Sequence, residues 1–129
     1  HHPTAVRETI RAAKLRWPGR RLWAVFEPRS FTARSKIFER QLPDALKTAD
    51  RVVLAAVYSS GRLSADRELS EEELVSDLRQ GDVEAWFIPT VEAIVRFLAS
   101  QLVEGDVVLA MSNGGFGGIH RKLLDALAG

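Results

Sequence analysis

A chain of 129 residues with 46% hydrophobic side chains is long enough for one compact domain with its own apolar core, and two domains are not expected. Lys and Arg number 18 against 17 for Asp and Glu. This balance excludes a chain-wide field that would hold a nucleic acid, so any charge-driven binding must be local. Cysteine is absent, which excludes disulfides, thiolate metal sites and cysteine nucleophiles.

The apolar stretches also limit where the protein is expected to work. The longest of them, at 52–57 and 107–111, fall far short of the ~20 residues that a membrane-spanning helix needs, so no membrane partner is expected. No signal peptide is visible, and a cysteine-free domain fits a reducing compartment, so we expect a cytoplasmic protein. The abrupt start at His1 indicates a piece of a larger protein.

The first 34 residues predict a helix, a buried strand and a loop. Apolar side chains recur at helical spacing up to Trp17, with Pro3 in the first turn and Pro18-Gly19 as the stop. The continuously apolar run 22–26 is typical of a strand that is covered on both faces of a sheet. Residues 27–34 then form a loop at the carboxyl end of that strand.

The middle of the chain repeats this order. A helix is expected from about Ser35 to Arg40, and Pro43 is expected to restart it, since proline is accepted in a first turn but not in a helix interior. Residues 51–57 show a second buried-strand pattern. The polar stretch 58–69 predicts a long surface loop, and loops of that length are often functional.

The next helix has signals at both of its ends. Ser70 and Glu73 form a capping box, and the helix is expected to run to about Gln80, with Gly81 in the left-handed cap conformation. Residues 83–88 predict the third strand.

The last two helices flank a fourth strand at 107–111. Thr90 is expected to cap the first of them, and Gly105 to end it. Its inward side chains are Ile94, Phe97 and Leu98. The final helix shows one apolar stripe of Ile119, Leu123 and Leu127.

This alternation predicts an α/β fold, with a mainly parallel, Rossmann-like sheet, right-handed crossovers and helices on both faces. In such sheets ligands bind beyond the carboxyl ends of the strands. Two segments that follow strands are rich in polar or glycine residues, namely 26–34 and 111–120. They are the candidate site.

The segment from Met111 to His120 has four glycines in five positions, at 114, 115, 117 and 118. Glycines let a backbone approach a ligand closely, and the unpaired N–H groups of the following helix suit a carboxylate or a phosphate. The structural alternative is a tight strand-to-helix turn with Phe116 tucked into the core. Because four clustered glycines with Ser112 and Asn113 exceed what a turn needs, we favour a ligand site.

Three familiar motifs do not fit. The dinucleotide-binding fingerprint fails because its third glycine position, counted from Gly115, is His120. The phosphate loop GxxxxGK[ST] is absent from the chain, so the domain cannot by itself hold the β- and γ-phosphates of ATP in that manner. Residues 110–114 come close to a hydrolase nucleophile elbow, but His120 and Asp125 follow on one short helix and do not easily complete a triad.

The loop 26–34 carries two arginines beside two hydroxyl side chains. The guanidinium fork matches carboxylates and phosphates in two-point contact, so this loop indicates anion recognition. The structural alternative is that Arg29 or Arg34 pairs with Glu27 or Glu39, and for either arginine alone the two interpretations are balanced. The position at the end of a strand favours the binding interpretation.

The histidines and tryptophans carry less information. His1 and His2 point in different directions and have no third ligand at metal-binding spacing, so no metal site is expected. His120 is by default a surface or helix-cap residue. Core or edge packing, rather than base stacking, is expected for Trp17, Trp23 and Trp86.

Three segments together resemble one family. They are His-His-Pro-Thr at 1–4, Phe-Glu-Pro-Arg-Ser at 26–30, and the glycine segment at 111–120. They are similar to the C-terminal domain of the Mur ligases. Within that family the combination is most similar to the muropeptide ligases, which join UDP-N-acetylmuramate to the tripeptide L-alanyl-γ-D-glutamyl-meso-diaminopimelate. The glycine segment is the most specific, whereas residues 1–4 are shared with the ligases that add L-alanine.

The resemblance implies an acid–peptide ligase of three domains that forms a C–N bond in peptidoglycan recycling, with residues 1–129 as its C-terminal domain. ATP and Mg²⁺ are the implied cofactors, bound mainly by a central domain outside this chain. The lactyl carboxylate becomes an acyl phosphate, which the peptide amine then attacks. The implied partners are UDP-N-acetylmuramate, the murein tripeptide and the central domain, over which this domain closes and to whose ATP site it contributes.

The resemblance also implies roles for particular residues, none of them catalytic in this domain alone. Nucleotide binding falls to His1 and His2. Substrate binding falls to Arg29, Ser30, Thr32, Arg34, Ser112, Asn113, Gly114 and Gly115. The chain departs from the family pattern at Phe31, where asparagine is expected, and at Ala33, where a larger residue is common.

A second hypothesis is a stand-alone regulatory module that binds a phosphosugar or an acidic metabolite. The two hypotheses differ in a measurable way. A ligase domain is inert alone and binds weakly before domain closure assembles the site, whereas a regulatory module binds its metabolite tightly in isolation.

Overall fold

The computed structural model describes residues 3–27, 35–56, 71–112 and 116–128. Helices and strands alternate along them. They are α1 (Pro3–Arg16), β1 (Leu22–Phe26), α2 (Ser35–Leu46), β2 (Arg51–Leu54), α3 (Glu71–Gln80), β3 (Glu84–Phe87), α4 (Val91–Gln101), β4 (Val107–Met111) and α5 (Ile119–Ala128), with a 3₁₀ turn at Phe116–Gly118 before α5. The predicted strand at 51–57 ends earlier, at Leu54, and Val57 lies outside the described residues.

The four strands form one parallel sheet in the order β3-β2-β1-β4. The registers align the last residues of β1, β2 and β4, with Phe26 opposite both Leu54 and Met111. Because these strands end level with one another, the loops that follow them leave the sheet at one edge, which we call the carboxyl edge. The predicted α/β fold with a parallel sheet is confirmed.

Two apolar clusters cover the two faces of the sheet. On one face α1, α2 and α3 bury side chains such as Ile10, Leu46 and Leu78 against alternate strand residues. On the other face Ile94 of α4 and Ile119 of α5 pack against the remaining ones. Each fully buried aliphatic side chain of this kind stabilises the fold by about 1.5–3 kcal/mol. Helices on both faces explain why β1 and β4 are continuously apolar rather than alternating.

Helix α2 continues through Pro43, so the prediction that this proline restarts the helix is wrong. Proline removes one N–H donor and disfavours a helix interior. Here the backbone hydrogen bonding resumes at once, because the N–H of Lys47 donates to the carbonyl of Pro43 at 2.9 Å. Leu42 and Leu46 on either side of the proline are fully buried. Their packing against the core outweighs the missing hydrogen bond.

The end of α3 differs from the prediction by one residue. Asp82, not Gly81, has the left-handed backbone, with φ of 66°. The N–H of Val83 donates to the carbonyl of Leu78, and that of Asp82 donates to the carbonyl of Arg79, both at 3.1 Å. These two bonds define a Schellman motif, in which the residue after the cap is left-handed. Aspartate tolerates this conformation better than most residues other than glycine.

The ends of the last two helices also differ from expectation. Thr90 caps α4 as predicted, and its side chain accepts a hydrogen bond from the N–H of Ala93 at 3.2 Å. The helix ends at Gln101 rather than at Gly105. Gly105 lies in the following turn, with φ of +94°. On α5, Leu127 is 51% exposed and does not continue the buried stripe.

A buried carboxylate holds together the opposite edge of the sheet, which we call the amino edge. Asp106, directly before β4, has a side chain only 4% exposed. It accepts hydrogen bonds from Arg21 Nη2, from the indole Nε1 of Trp23 at 3.1 Å and from the backbone N–H of Val103 at 3.1 Å. Burial alone raises the pKa of Asp106, but these hydrogen bonds outweigh it and hold the pKa below its ordinary value. The carboxylate therefore ties β1 to β4.

Candidate functional site

The strand order places a topological switch point between β1 and β4 at the carboxyl edge, which we call the crevice. The chain proceeds outward from β1 through β2 to β3, and then returns to place β4 on the other side of β1. Crossovers α2 and α3 lie on one face of the sheet, and α4 lies on the other. The point at which the order reverses in this way is where open α/β sheets bind their ligands. Both candidate loops start there, one after β1 and the other after β4.

The first residues of these two loops are bonded to each other. The backbone N–H of Glu27 donates to the carbonyl of Met111 at 3.0 Å, which extends the ladder between β1 and β4 by one residue. The hydroxyl of Ser112 donates to Oε1 of Glu27 at 2.5 Å. Both side chains are half-buried. Glu27 and Ser112 therefore form a hydrogen-bonded polar pair at the base of the crevice, where the two loops begin.

The glycine segment enters α5 through a run of left-handed residues. Phe116, Gly117 and Gly118 have φ of 51°, 58° and 72°. Phe116 is 4% exposed and packs in the second apolar cluster, as the structural alternative requires. A Cβ on Gly117 would lie 2.9 Å from a methyl carbon of Val91. Turn geometry therefore accounts for the glycines at 117 and 118, whereas those at 114 and 115 lie outside the described residues.

The predicted site residues differ in how far the structure describes them. Ser112 is placed at the crevice. The others lie outside the described residues, namely His1, His2, Arg29, Ser30, Thr32, Arg34, Asn113, Gly114 and Gly115. The sequence interpretation missed Glu27, which it treated only as a partner for an arginine. The available signal was a charged side chain directly after a buried strand.

The structure also describes the tryptophans and His120. Trp23 is fully buried and stacks on the half-buried Trp86 with ring centroids 5.6 Å apart, which confirms packing roles for both. Trp17 lies beyond the end of α1 and is 41% exposed. His120 is exposed on α5, as predicted. Within the described ranges, no group of three or more His, Asp or Glu side chains could hold a metal ion, and no helix is long and apolar enough to cross a membrane.

A second concave surface runs along β4 beside α5, with a volume of about 500 Å³. Most of its lining is apolar, and Val103, Leu124 and Leu127 in it are more than half exposed. Such a lining does not supply the donors that carboxylates and phosphates need. For a charged ligand, the crevice between β1 and β4 is the better match.

Comparison with known proteins identifies the family. Residues 1–114 match the family model described as "Mur ligase, glutamate ligase domain". Because this match covers most of the chain, the protein belongs to the Mur ligase family, and the chain corresponds to its C-terminal domain.

The similar proteins fall into two groups. Among curated relatives, the UDP-N-acetylmuramate–L-alanine ligase of Desulfitobacterium hafniense is 35% identical over 88% of this chain and 25% of its own length. Among solved structures, a murein peptide ligase from Psychrobacter arcticus is 32% identical with a TM-score of 0.80, covering 98% of this chain and 26% of that one. A domain of a Haemophilus ducreyi protein, assigned as a UDP-N-acetylmuramate:L-alanyl-γ-D-glutamyl-meso-diaminopimelate ligase, is 31% identical with a TM-score of 0.70, covering 98% and 85%. This chain thus spans about a quarter of the length of the curated relatives it matches.

Proposed function

We propose that this chain is the C-terminal domain of a three-domain, ATP-dependent ligase that joins UDP-N-acetylmuramate to L-alanyl-γ-D-glutamyl-meso-diaminopimelate in peptidoglycan recycling. The observation that carries the proposal is the crevice between β1 and β4, where the loops 27–34 and 112–118 begin side by side. Family membership and the similarity to a murein peptide ligase support it.

In this proposal the chain holds the amino component, and another domain activates the carboxylate. ATP supplies the phosphoryl group for the acyl phosphate, and with Mg²⁺ it binds mainly to the central domain, because this chain has no GxxxxGK[ST] loop. Arg29 and Arg34, with Ser30 and Thr32, bind carboxylate or phosphate oxygens of the substrates. The peptide lies against 112–115, and His1 and His2 lie near the nucleotide.

L-Alanine is the second candidate for the amino component. The curated relatives at 35–37% identity are L-alanine ligases, whereas the solved structures at 31–32% identity are a murein peptide ligase and a domain assigned to a tripeptide ligase. The two reactions share UDP-N-acetylmuramate and the amine of an L-alanyl group. They differ in whether further residues are attached to that alanine, and hence in the length of the pocket.

The test uses the full-length protein with ATP, Mg²⁺ and UDP-N-acetylmuramate, supplied with either L-alanine or the tripeptide. We expect phosphate release and a product with the mass of the tripeptide adduct. A product with L-alanine alone replaces the first candidate with the second, and no product with either contradicts the proposal. The isolated domain is expected to be inert, and tight binding of a phosphosugar to it in calorimetry favours a regulatory module instead.

A further inference from the structure

We infer that the carboxylate of Glu27 binds the ammonium group of the incoming amino component, an inference that rests on the proposed function. Glu27 is the first residue after β1, and its backbone is bonded to the last residue of β4. The side chain therefore starts from a fixed point at the base of the crevice, rather than from a free loop.

Only one of the two carboxylate oxygens is occupied by a described side chain. Oε1 accepts the hydroxyl of Ser112 at 2.5 Å, and within the described ranges Oε2 has no hydrogen-bond donor. The Ser112 bond orients the carboxylate and leaves the other oxygen for a ligand. A carboxylate oxygen only accepts hydrogen bonds and bonds more strongly to a charged donor than to a neutral one, so the second oxygen favours a cationic group.

The proposed reaction brings such a group to this place. The α-amino group of L-alanine or of an L-alanyl peptide carries a positive charge in water near neutral pH. It has to be held close to the acyl phosphate before it loses a proton and attacks. A carboxylate that accepts a charge-assisted hydrogen bond holds an ammonium group in place. Since both candidate amino components begin with the same L-alanyl amine, the inference does not depend on which of them is used.

The alternative role for Glu27 is to pair with an arginine of its own loop. In that case the carboxylate orders a side chain that binds anionic parts of the substrate, and it has no direct contact with the amine. The two roles differ in one respect that can be measured. Loss of an amine contact weakens only ligands that carry the amine, whereas loss of an arginine partner weakens all of them.

The experiment measures direct binding to the full-length protein in the presence of UDP-N-acetylmuramate and a non-hydrolysable ATP analogue. The probes are the amino component that the wild type accepts and its des-amino analogue, which has a propionyl group in place of L-alanyl. The variants are Glu27→Gln, which keeps an acceptor for Ser112 but removes the charge, and Ser112→Ala, which keeps the charge. Glu104→Gln, in an exposed turn at the amino edge, is the matched control.

The wild type is expected to bind the amine about 10- to 100-fold more tightly than the analogue, the range for a hydrogen bond to a charged group. In Glu27→Gln this ratio falls close to one while binding of the analogue stays constant. Glu104→Gln keeps the wild-type ratio, and Ser112→Ala lowers it only in part. An unchanged ratio in Glu27→Gln, or equal weakening of both probes, overturns the inference. If the wild type turns over neither amino component, the proposed function fails, which is a separate result.

Discussion

Replacing Asp106 with alanine is expected to destabilise the domain by about 2 kcal/mol. The carboxylate joins β1 to β4 through bonds from Arg21, Trp23 and Val103. Of these donors, the indole N–H of Trp23 belongs to a fully buried side chain, whereas Arg21 is partly exposed and Val103 is 61% exposed. In the variant, the donor groups of Arg21 and Val103 can form hydrogen bonds with water instead. The indole N–H of Trp23 cannot, because its side chain is fully buried.

The expected loss of about 2 kcal/mol comes mainly from the buried indole N–H of Trp23, which loses its acceptor. A buried donor that loses its acceptor costs about 1–3 kcal/mol. Relief of the carboxylate's own desolvation opposes this loss, and the weakened tie between the two strands adds to it. A net loss of about 2 kcal/mol corresponds to a fall in Tm of roughly 6–10 °C for a domain of this size.

The assay is urea unfolding of the isolated domain, followed by tryptophan fluorescence and circular dichroism. Trp23→Phe provides the second arm of a double-mutant cycle, because it removes the donor and leaves Asp106 in place. Asp106→Ala is expected to cost at least about 1 kcal/mol less in the Trp23→Phe background than in the wild type. A loss under about 0.5 kcal/mol, or additive effects of the two substitutions, would refute the reasoning.

Three further outcomes are expected from the same contacts and from the candidate site. The lowered pKa of Asp106 means that its contribution to stability is present above the unfolded-state pKa of about 3.9 and is lost as the pH falls through the folded-state pKa. Unfolding curves of the wild type and Asp106→Ala should therefore converge between pH 5 and strong acid. Gly117→Ala should destabilise more than Gly118→Ala by about 1 kcal/mol or more in thermal unfolding. Both residues are left-handed, but only at 117 does the added Cβ meet Val91. In the full-length ligase, Arg29→Ala should lower kcat/KM by a few kcal/mol equivalent in steady-state assays, through lost charge-assisted contacts.

Each of these predictions has its own control. A constant gap between the two pH curves would contradict the role of the carboxylate. Val91→Ala should relieve part of the Gly117→Ala penalty and leave that of Gly118→Ala unchanged. Unchanged kinetics in Arg29→Ala would remove that residue from the proposed site.

Local sequence patterns predicted the helices and strands. The strand order and the contacts at the site depend on residues that are far apart in the sequence, and these were not predicted. The continuous apolar runs at 22–26 and 107–111 predicted strands β1 and β4 with the bounds that the structure has, because a strand covered by helices on both faces favours such runs, although only β1 is buried along its whole length. The order of the strands was not readable, since pairing between residues 85 positions apart leaves no mark in either segment. The bond between Glu27 and Ser112 is such a contact, so the glutamate was missed.

The errors at helix ends have a similar cause. Pro43 follows the general rule against proline in helices, but the rule omits the burial of Leu42 and Leu46 beside it. Glycine is the usual left-handed residue at a helix end, which favours Gly81, but the bond from the N–H of Val83 to the carbonyl of Leu78 places the left-handed conformation at Asp82. Leu127 fits the apolar spacing of α5, but the last turn of this helix extends beyond the core, so the side chain is exposed.

The network around Asp106 lies at the end of the sheet opposite to the crevice. Changes in the loops after β1 and β4 therefore leave the tie between these two strands intact. A scaffold with this arrangement tolerates exchange of its recognition loops when Phe116 and Gly117, which pack against the core, are kept, since the Asp106 network is not part of the exchanged segments. Grafting the loops of a relative with a different amino component onto this domain is accordingly a practical way to change its specificity.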